Sequence, residues 1–228
     1  MNVEIWSDIA CPWCYVGKRR FEAALGRFEH ADAVTVTWRS FELDPTAPVA
    51  RAESGAEHLA EKYGSSLQQA LEMERHMTKT AAEDGLDFRF DRLRSGNTFD
   101  AHRLLHLAHL LELQDALKEC FMRAYLTEGE LMGDHDTLRR LAVEVGLPEK
   151  DVIAVLASDR FAEDVRADEH AAASFGARAV PFFVVDRAVG ASGALPTDAM
   201  LELLQKGWDA KPRMTVVTSG QASGADGC

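Results

Sequence analysis

The chain opens on a short alternation. Asn2-Val3-Glu4-Ile5-Trp6 sets polar and apolar residues at every other position, with β-branched residues at 3 and 5, and predicts a strand. Ser7 and Asp8 interrupt it. From Pro12 the period lengthens: Trp13, Val16, Arg20, Phe21, Ala24, Leu25 and Phe28 recur at helical spacing. Pro12 sits in a first helical turn, where its missing N–H has no partner to lose. Val34-Thr35-Val36-Thr37-Trp38 alternates again and continues through Arg39-Ser40-Phe41 before Leu43-Asp44-Pro45-Thr46-Ala47-Pro48 opens a loop. The chain to residue 42 therefore reads strand, helix, strand, with a connection long enough for a parallel crossover.

A helical pattern then holds from about 55 to 175. Ala56 to Glu83 has few strand formers and many Glu, Lys, Gln and Ala, and Gly85-Leu86-Asp87-Phe88-Arg89-Phe90 reads as a short apolar loop or strand. A helix is predicted from Thr98 to about Leu113, with Leu104, Leu107, Ala108 and Leu111 on one face. Further helices are predicted over about 115–127, 136–145, 149–156 and 161–174, with Gly146-Leu147-Pro148 as a break. Val180-Pro181-Phe182-Phe183-Val184-Val185 is a continuous apolar run, the mark of a strand buried on both faces. Asp186-Arg187 turns it, Ala188-Val189 reads as a short return strand, and Gly190 to Leu195 as loop. Thr197 suits the N-cap of a last amphipathic helix carrying Met200, Leu201, Leu203 and Leu204.

That order predicts an α/β chain with a thioredoxin-like layout and a large all-helical insertion between strand two and the proline-led strand. The expected divisions are 1–50 and 161–208 for the two parts of the thioredoxin-like domain, 51–160 for the insertion, and 209–228 for a flexible tail rich in small and polar residues.

Composition narrows the function classes. With 228 residues and 46% hydrophobic positions the chain buries a core without disulfide staples. A net charge of −12 argues against nucleic acid or an anionic membrane as partner. No apolar run approaches the roughly 20 residues that span a bilayer, and no basic-then-apolar leader precedes the first strand. The expectation is a cytoplasmic protein, where a closely spaced cysteine pair is catalytic or metal-bound rather than structural.

That pair is Cys11-Pro12-Trp13-Cys14. Zinc needs a second ligand pair, and the other cysteines, Cys120 and Cys228, have no near partner. Redox cycling needs only the strand-to-helix junction. There, free backbone N–H groups and the positive end of the helix dipole favour thiolate, below the free thiol value of about 8.5. Cys11 is then the exposed attacking sulfur and Cys14, one turn further in, the resolving one. Cys120, beside Phe121 and Met122, reads as a packed inert thiol, and Cys228 as an exposed tail thiol with no required role. His102, His106 and His109 share a face opposite the leucines, but no carboxylate completes a metal motif, so no metal is expected.

Ser7-Asp8-Ile9-Ala10-Cys11-Pro12-Trp13-Cys14, Asn97-Thr98 with Ala101-His102-Arg103-Leu104, Gly176 through Val184, and Gly190-Ala191-Ser192-Gly193-Ala194 resemble the DsbA family. More narrowly, they resemble its FrnE-like branch, related to 2-hydroxychromene-2-carboxylate isomerases and kappa-class glutathione transferases. The resemblance implies a thiol–disulfide oxidoreductase acting through a mixed disulfide with a protein or small-molecule substrate. It implies no resident cofactor, glutathione as a redox partner, and in some relatives a link to polyketide biosynthesis. It implies a cis Val180–Pro181 bond facing the sulfurs, and a substrate groove formed by Pro12, Trp13, Val180, Pro181, Asn97, Thr98 and His102. An N-terminal cap supplied by Thr98 alone is the other reading of that last segment. The oligomeric state is left open, a dimer included. Two rival readings are a glutathione-dependent isomerase or transferase acting on a small aromatic substrate, and a non-enzymatic binding module. The isomerase branch carries serine where this chain has Cys11, and some relatives carry a C-terminal cysteine pair where this chain has only Cys228.

Overall fold

Parallel pairing of β1 (Asn2–Ser7) with β2 (Thr35–Ser40) follows from the crossover through α1 (Pro12–Leu25). The computed structural model describes residues 1–210, so Cys228 and most of the expected tail lie outside the described residues. β3 (Phe182–Val185) pairs antiparallel with the other edge of β1, and β4 (Val189–Ser192) pairs antiparallel with β3, giving the order β2-β1-β3-β4. This mixed sheet with a helical insertion after β2 is the thioredoxin arrangement. The insertion and its return comprise α2 (Gly55–Tyr63), α3 (Leu67–Glu83), α4 (Phe99–Leu110), α5 (Gln114–Arg123), α6 (His135–Val145), α7 (Glu149–Leu156) and α8 (Ala162–Ser174); α9 (Thr197–Asp209) closes the fold.

β1 is central, and its period of two divides the interior. Val3 and Ile5 join Phe21, Trp38, Phe183 and Leu204 in a core between the sheet, α1 and α9. Trp6 belongs to the larger core, which holds Cys11, Cys14 and the buried faces of the insertion. Glu4, also facing away from the α1 side, is buried between the guanidinium groups of Arg39 and Arg187.

The structure departs from the sequence pattern where local hydrogen bonding overrides periodicity. The stretch 56–83 is two helices, because Gly64 ends α2 in the left-handed region and Ser66 starts α3. Ser54 with Glu57, and Ser66 with Gln69, form reciprocal capping boxes. Of the two readings of residues 85–90, the loop holds for 85–89, which lead into a 3₁₀ turn over Phe90–Arg92. The helix expected to Thr127 stops at Arg123 and continues as a π turn over Ala124–Glu128. β4 takes Gly190, Ala191 and Ser192, residues poor in strand propensity, because the exposed edge of β3 offers them partners. Asp186 and Arg187, both at positive φ, turn the hairpin. Pro196, not Thr197, holds the N-cap position of α9, with no side-chain cap.

Two close approaches fix the geometry around the cysteines. The connector after β2 runs between Gly96 and Gly133, and a Cβ on either would overlap the Val49 carbonyl. Flanking it, Asn97 N–H donates to Pro48 O and Arg51 N–H to Ser95 O, each at 2.8 Å. Gly17 lets α1 lie against the start of β3: a Cβ there would sit 2.8 Å from Pro181 Cγ. Gly17→Ala is expected to destabilise the fold by about 1–3 kcal/mol through overpacking, read as a lower midpoint in chemical denaturation; an unchanged midpoint would show that α1 and Pro181 separate freely.

Candidate active site

The turn between β1 and α1 carries both cysteines. Cys11 is the N-cap residue of α1, in extended conformation, and Pro12 is the first helical residue. Cys11 N–H donates to Asp8 O at 3.3 Å, and Cys14 N–H to Cys11 O at 3.0 Å. The Cys11 Sγ lies 3.8 Å from the Val180 carbonyl, to which it donates, and the Val180–Pro181 peptide bond is cis. Cys11 is not the exposed sulfur the motif suggested. It is 5% exposed, because the Val180 backbone and the surrounding core close over it; Cys14 is 1% exposed. Burial pushes the Cys14 thiol well above its ordinary range, as do its hydrogen bond with Cys11 and the Cys11 charge; the field of Lys118 and the Asp8 N–H oppose this.

Access to Cys11 is through a cavity of about 580 Å³, a size that suits a small ligand. Its wall is mainly apolar, with Trp13, Leu43, Met77, Leu93 and Tyr125 around the cysteine. Pro12, Val180 and Thr98 also line it. Asn97, His102 and Pro181 do not. The Asn97 carboxamide caps α4, accepting from Phe99 N–H at 2.8 Å and donating to Ala47 O, whereas the Thr98 side chain makes no capping bond. Pro181 packs on Gly17.

His102 is fully buried and turned toward Asp8, its Nε2 3.4 Å from Asp8 Oδ1. Its Nδ1 has no partner among the described residues, which assigns the proton to Nε2. Burial lowers the His102 pKa, against the opposing pull of Asp8. Burial also works to raise the Asp8 pKa, but the His102 hydrogen bond and field, the Leu43 N–H and the Lys118 charge outweigh it and hold the carboxylate ionised. Lys118, on α5, is fully buried and donates to Ser7 O at 3.1 Å.

The other histidines on α4 diverge. His106 meets Ser40 Oγ and Asp168 Oδ2, each at 3.2 Å, while His109 is exposed. Among the described residues no group of three or more His, Cys, Asp or Glu is placed to hold a metal. Cys120 is buried, and burial raises its thiol pKa. Sequence reasoning missed Asp8 and Lys118 as site residues. The available signal was a lysine at a core position of α5, on one face with Gln114 and Phe121.

The family described as DSBA-like thioredoxin domain matches residues 2–205. A probable DsbA oxidoreductase, SCO1869, from Streptomyces coelicolor is 46% identical, with a TM-score of 0.89 over 100% of this chain and 98% of that one. The uncharacterized protein YwbO of Bacillus subtilis (strain 168) is 26% identical over 197 residues, 85% of this chain and 92% of its own. The cytosolic disulfide reductase DsbM from Pseudomonas aeruginosa, in a structure with GSH, shares the fold at 19% identity and a TM-score of 0.65, over 92% of this chain and 100% of that one. Among the described residues no helix is long and apolar enough to cross a membrane.

The depressed His102 pKa sets a pH dependence. In the unfolded chain this residue takes a proton near about 6.5 that the folded protein refuses, so its contribution to stability is lost as pH falls below that value. His102→Gln is expected to destabilise the protein at pH 8 by about 1–3 kcal/mol and to remove the His102 share of the pH dependence, so that stability falls less, or rises more, as pH is lowered from about 7 to 5 than in the wild type. Urea unfolding across that range measures both; the same pH slope in variant and wild type would refute the assignment.

Proposed function

The chain belongs to the DSBA-like thioredoxin domain family, and on that premise we propose that it is a thiol–disulfide oxidoreductase cycling Cys11 and Cys14 between dithiol and disulfide. The observation that carries this is the placing of Cys11 at the N-cap of α1, three positions before the buried Cys14 and open to the cavity.

In the forward cycle Cys11 thiolate attacks one sulfur of a substrate disulfide. The substrate S–S bond breaks, one substrate thiolate leaves, and Cys11 is held in a mixed disulfide. Cys14 then attacks Cys11, the second substrate thiolate leaves, and the Cys11–Cys14 disulfide forms. The substrate gains two electrons, the protein loses two, and an external thiol reductant restores the dithiol. With a dithiol substrate every step runs in reverse. The Val180 carbonyl beside Cys11 supports an extended substrate backbone, and the apolar wall supports its body.

The enclosed volume favours a small organic thiol or disulfide over a protein segment alone. Glutathione is of that size. Lys62 and Arg178, at the cavity and without an ion-pair partner among the described residues, suit its carboxylates, and Glu74 suits its amine. The redox reading is preferred to a glutathione-dependent isomerase because two cysteines in contact serve dithiol exchange, whereas isomerisation needs neither to be oxidised.

The test is reduction of glutathione disulfide and of insulin driven by dithiothreitol. Cys11→Ser is expected to fall to the uncatalysed rate. Cys14→Ser is expected to accumulate a mixed disulfide on Cys11, detected by mass spectrometry. Wild-type turnover by Cys11→Ser would eliminate the proposal.

A further inference from the structure

We propose that the buried ammonium of Lys118 is the counter-ion of the Cys14 thiolate in the step that releases the mixed disulfide, which makes it a positioning residue for resolution. This rests on the oxidoreductase reading above and adds to it the group that lets the buried sulfur ionise.

Lys118 is an unusual lysine in its surroundings. Its side chain is fully buried, its Nζ has the Ser7 carbonyl as its one hydrogen-bond acceptor among the described residues, and it lies 5.7 Å from the Trp38 ring centroid. An ammonium has three N–H donors to satisfy, and a buried charge without a partner is strongly disfavoured. Lys18, on α1 and equally buried, shows the ordinary solution: it is paired with Glu22, Asp115 and Glu119. Lys118 has no carboxylate within ion-pair distance among the described residues. The charged groups that act on it are Cys14, Asp8, Cys11 and Lys18, and it in turn acts on His102. Asp8 is already engaged by His102, Ala10 N–H and Leu43 N–H. The thiols are what is left.

The reaction sequence explains why that arrangement is useful. Before attack, Cys14 keeps its proton, because it is buried and because it hydrogen-bonds to Cys11 and feels the Cys11 charge. Attack converts Cys11 into a neutral disulfide sulfur and removes both of these Cys11 influences together. Lys118 and the Asp8 N–H, which already favour the Cys14 thiolate, then act unopposed by Cys11. Cys14 gives its proton to water. Its electron pair forms the bond to Cys11, the bond from Cys11 to the substrate sulfur breaks, and the substrate leaves as thiolate. The substrate disulfide has been reduced by two electrons and the protein dithiol oxidised, to be restored by a thiol reductant. Cys11 therefore delays ionisation of the second sulfur until the first has been used, and the buried cation then supports it.

The experiment mixes reduced protein rapidly with dithiobis(nitrobenzoate), a disulfide whose leaving thiolate is coloured. The first coloured equivalent reports attack by Cys11 and the second reports resolution by Cys14. In Lys118→Met the second phase is expected to slow about tenfold or more near pH 7, with its pH midpoint about one unit or more higher. The first phase is expected to change less than the second, by less than about threefold, since Lys118 interacts more strongly with Cys14 than with Cys11. A folded Lys118→Met with an unchanged second phase and midpoint overturns the proposal. The wild-type profile is a second measurement that does not depend on the variant folding. Burial draws the Lys118 pKa down to about 8, so the second phase should rise with pH and then break as Lys118 loses its charge. A rise that continues unbroken past about pH 9, as for an isolated thiol, also overturns it. If no first phase depends on Cys11, the oxidoreductase reading itself fails, and that outcome is read separately from the second phase.

Discussion

The structure depends on one buried carboxylate. Asp8 accepts hydrogen bonds from Ala10 N–H at 3.2 Å and Leu43 N–H at 2.8 Å, with His102 Nε2 at 3.4 Å. Those partners come from the turn before Cys11, the connector after β2, and α4 of the insertion. An ionised group at this depth is tolerated only when its acceptor capacity is met. The three segments must therefore assemble together, and the turn that holds the cysteines is completed by a side chain nearly a hundred residues away. Leaving such a buried carboxylate short of one hydrogen-bond partner costs about 1–3 kcal/mol.

A second polar tie runs behind the sheet. Asp168 on α8 accepts from Ser40 N–H and from Arg39, and its backbone carbonyl accepts from the Trp6 indole at 2.7 Å. Nearby, Glu42 is buried, paired with Arg166, and one of its carboxylate oxygens has no partner among the described residues. Burial pushes its pKa up to about 7. A raised acid contributes its stability in full below its unfolded value of about 4.5 and loses it as pH rises through about 7. His102 acts in the opposite sense, losing its contribution as pH falls. The two buried groups confine greatest stability to an intermediate window.

How legible this was depended on the range of the forces involved. The β1–α1 junction, the helical block and the apolar run at Val180–Val185 could be read because periodicity and proline placement are local. The division of residues 56–83 was also written locally, in two Ser-x-x-Glu/Gln boxes, but periodicity alone passes over them. β4 could not be read from Gly190-Ala191-Ser192, since it exists by pairing with β3. The Cys11–Cys14 pair was evident from its spacing. Its depth was not, because burial comes from Val180 and from helices far along the chain. His102 was expected to face a groove and instead faces Asp8, a contact across 94 positions that no single-helix wheel can show.

The connector threaded between Gly96 and Gly133 has a mechanical meaning. With bare backbone on both sides of Val49, the strap is gripped like a peg in a slot the width of a peptide plane. The helical lobe cannot slide along the sheet without first withdrawing that peg, so the cavity beside Cys11, which Ser95 and Gly96 help to line, is anchored. Any widening of the mouth to admit a larger guest then falls to the α2–α3 wall.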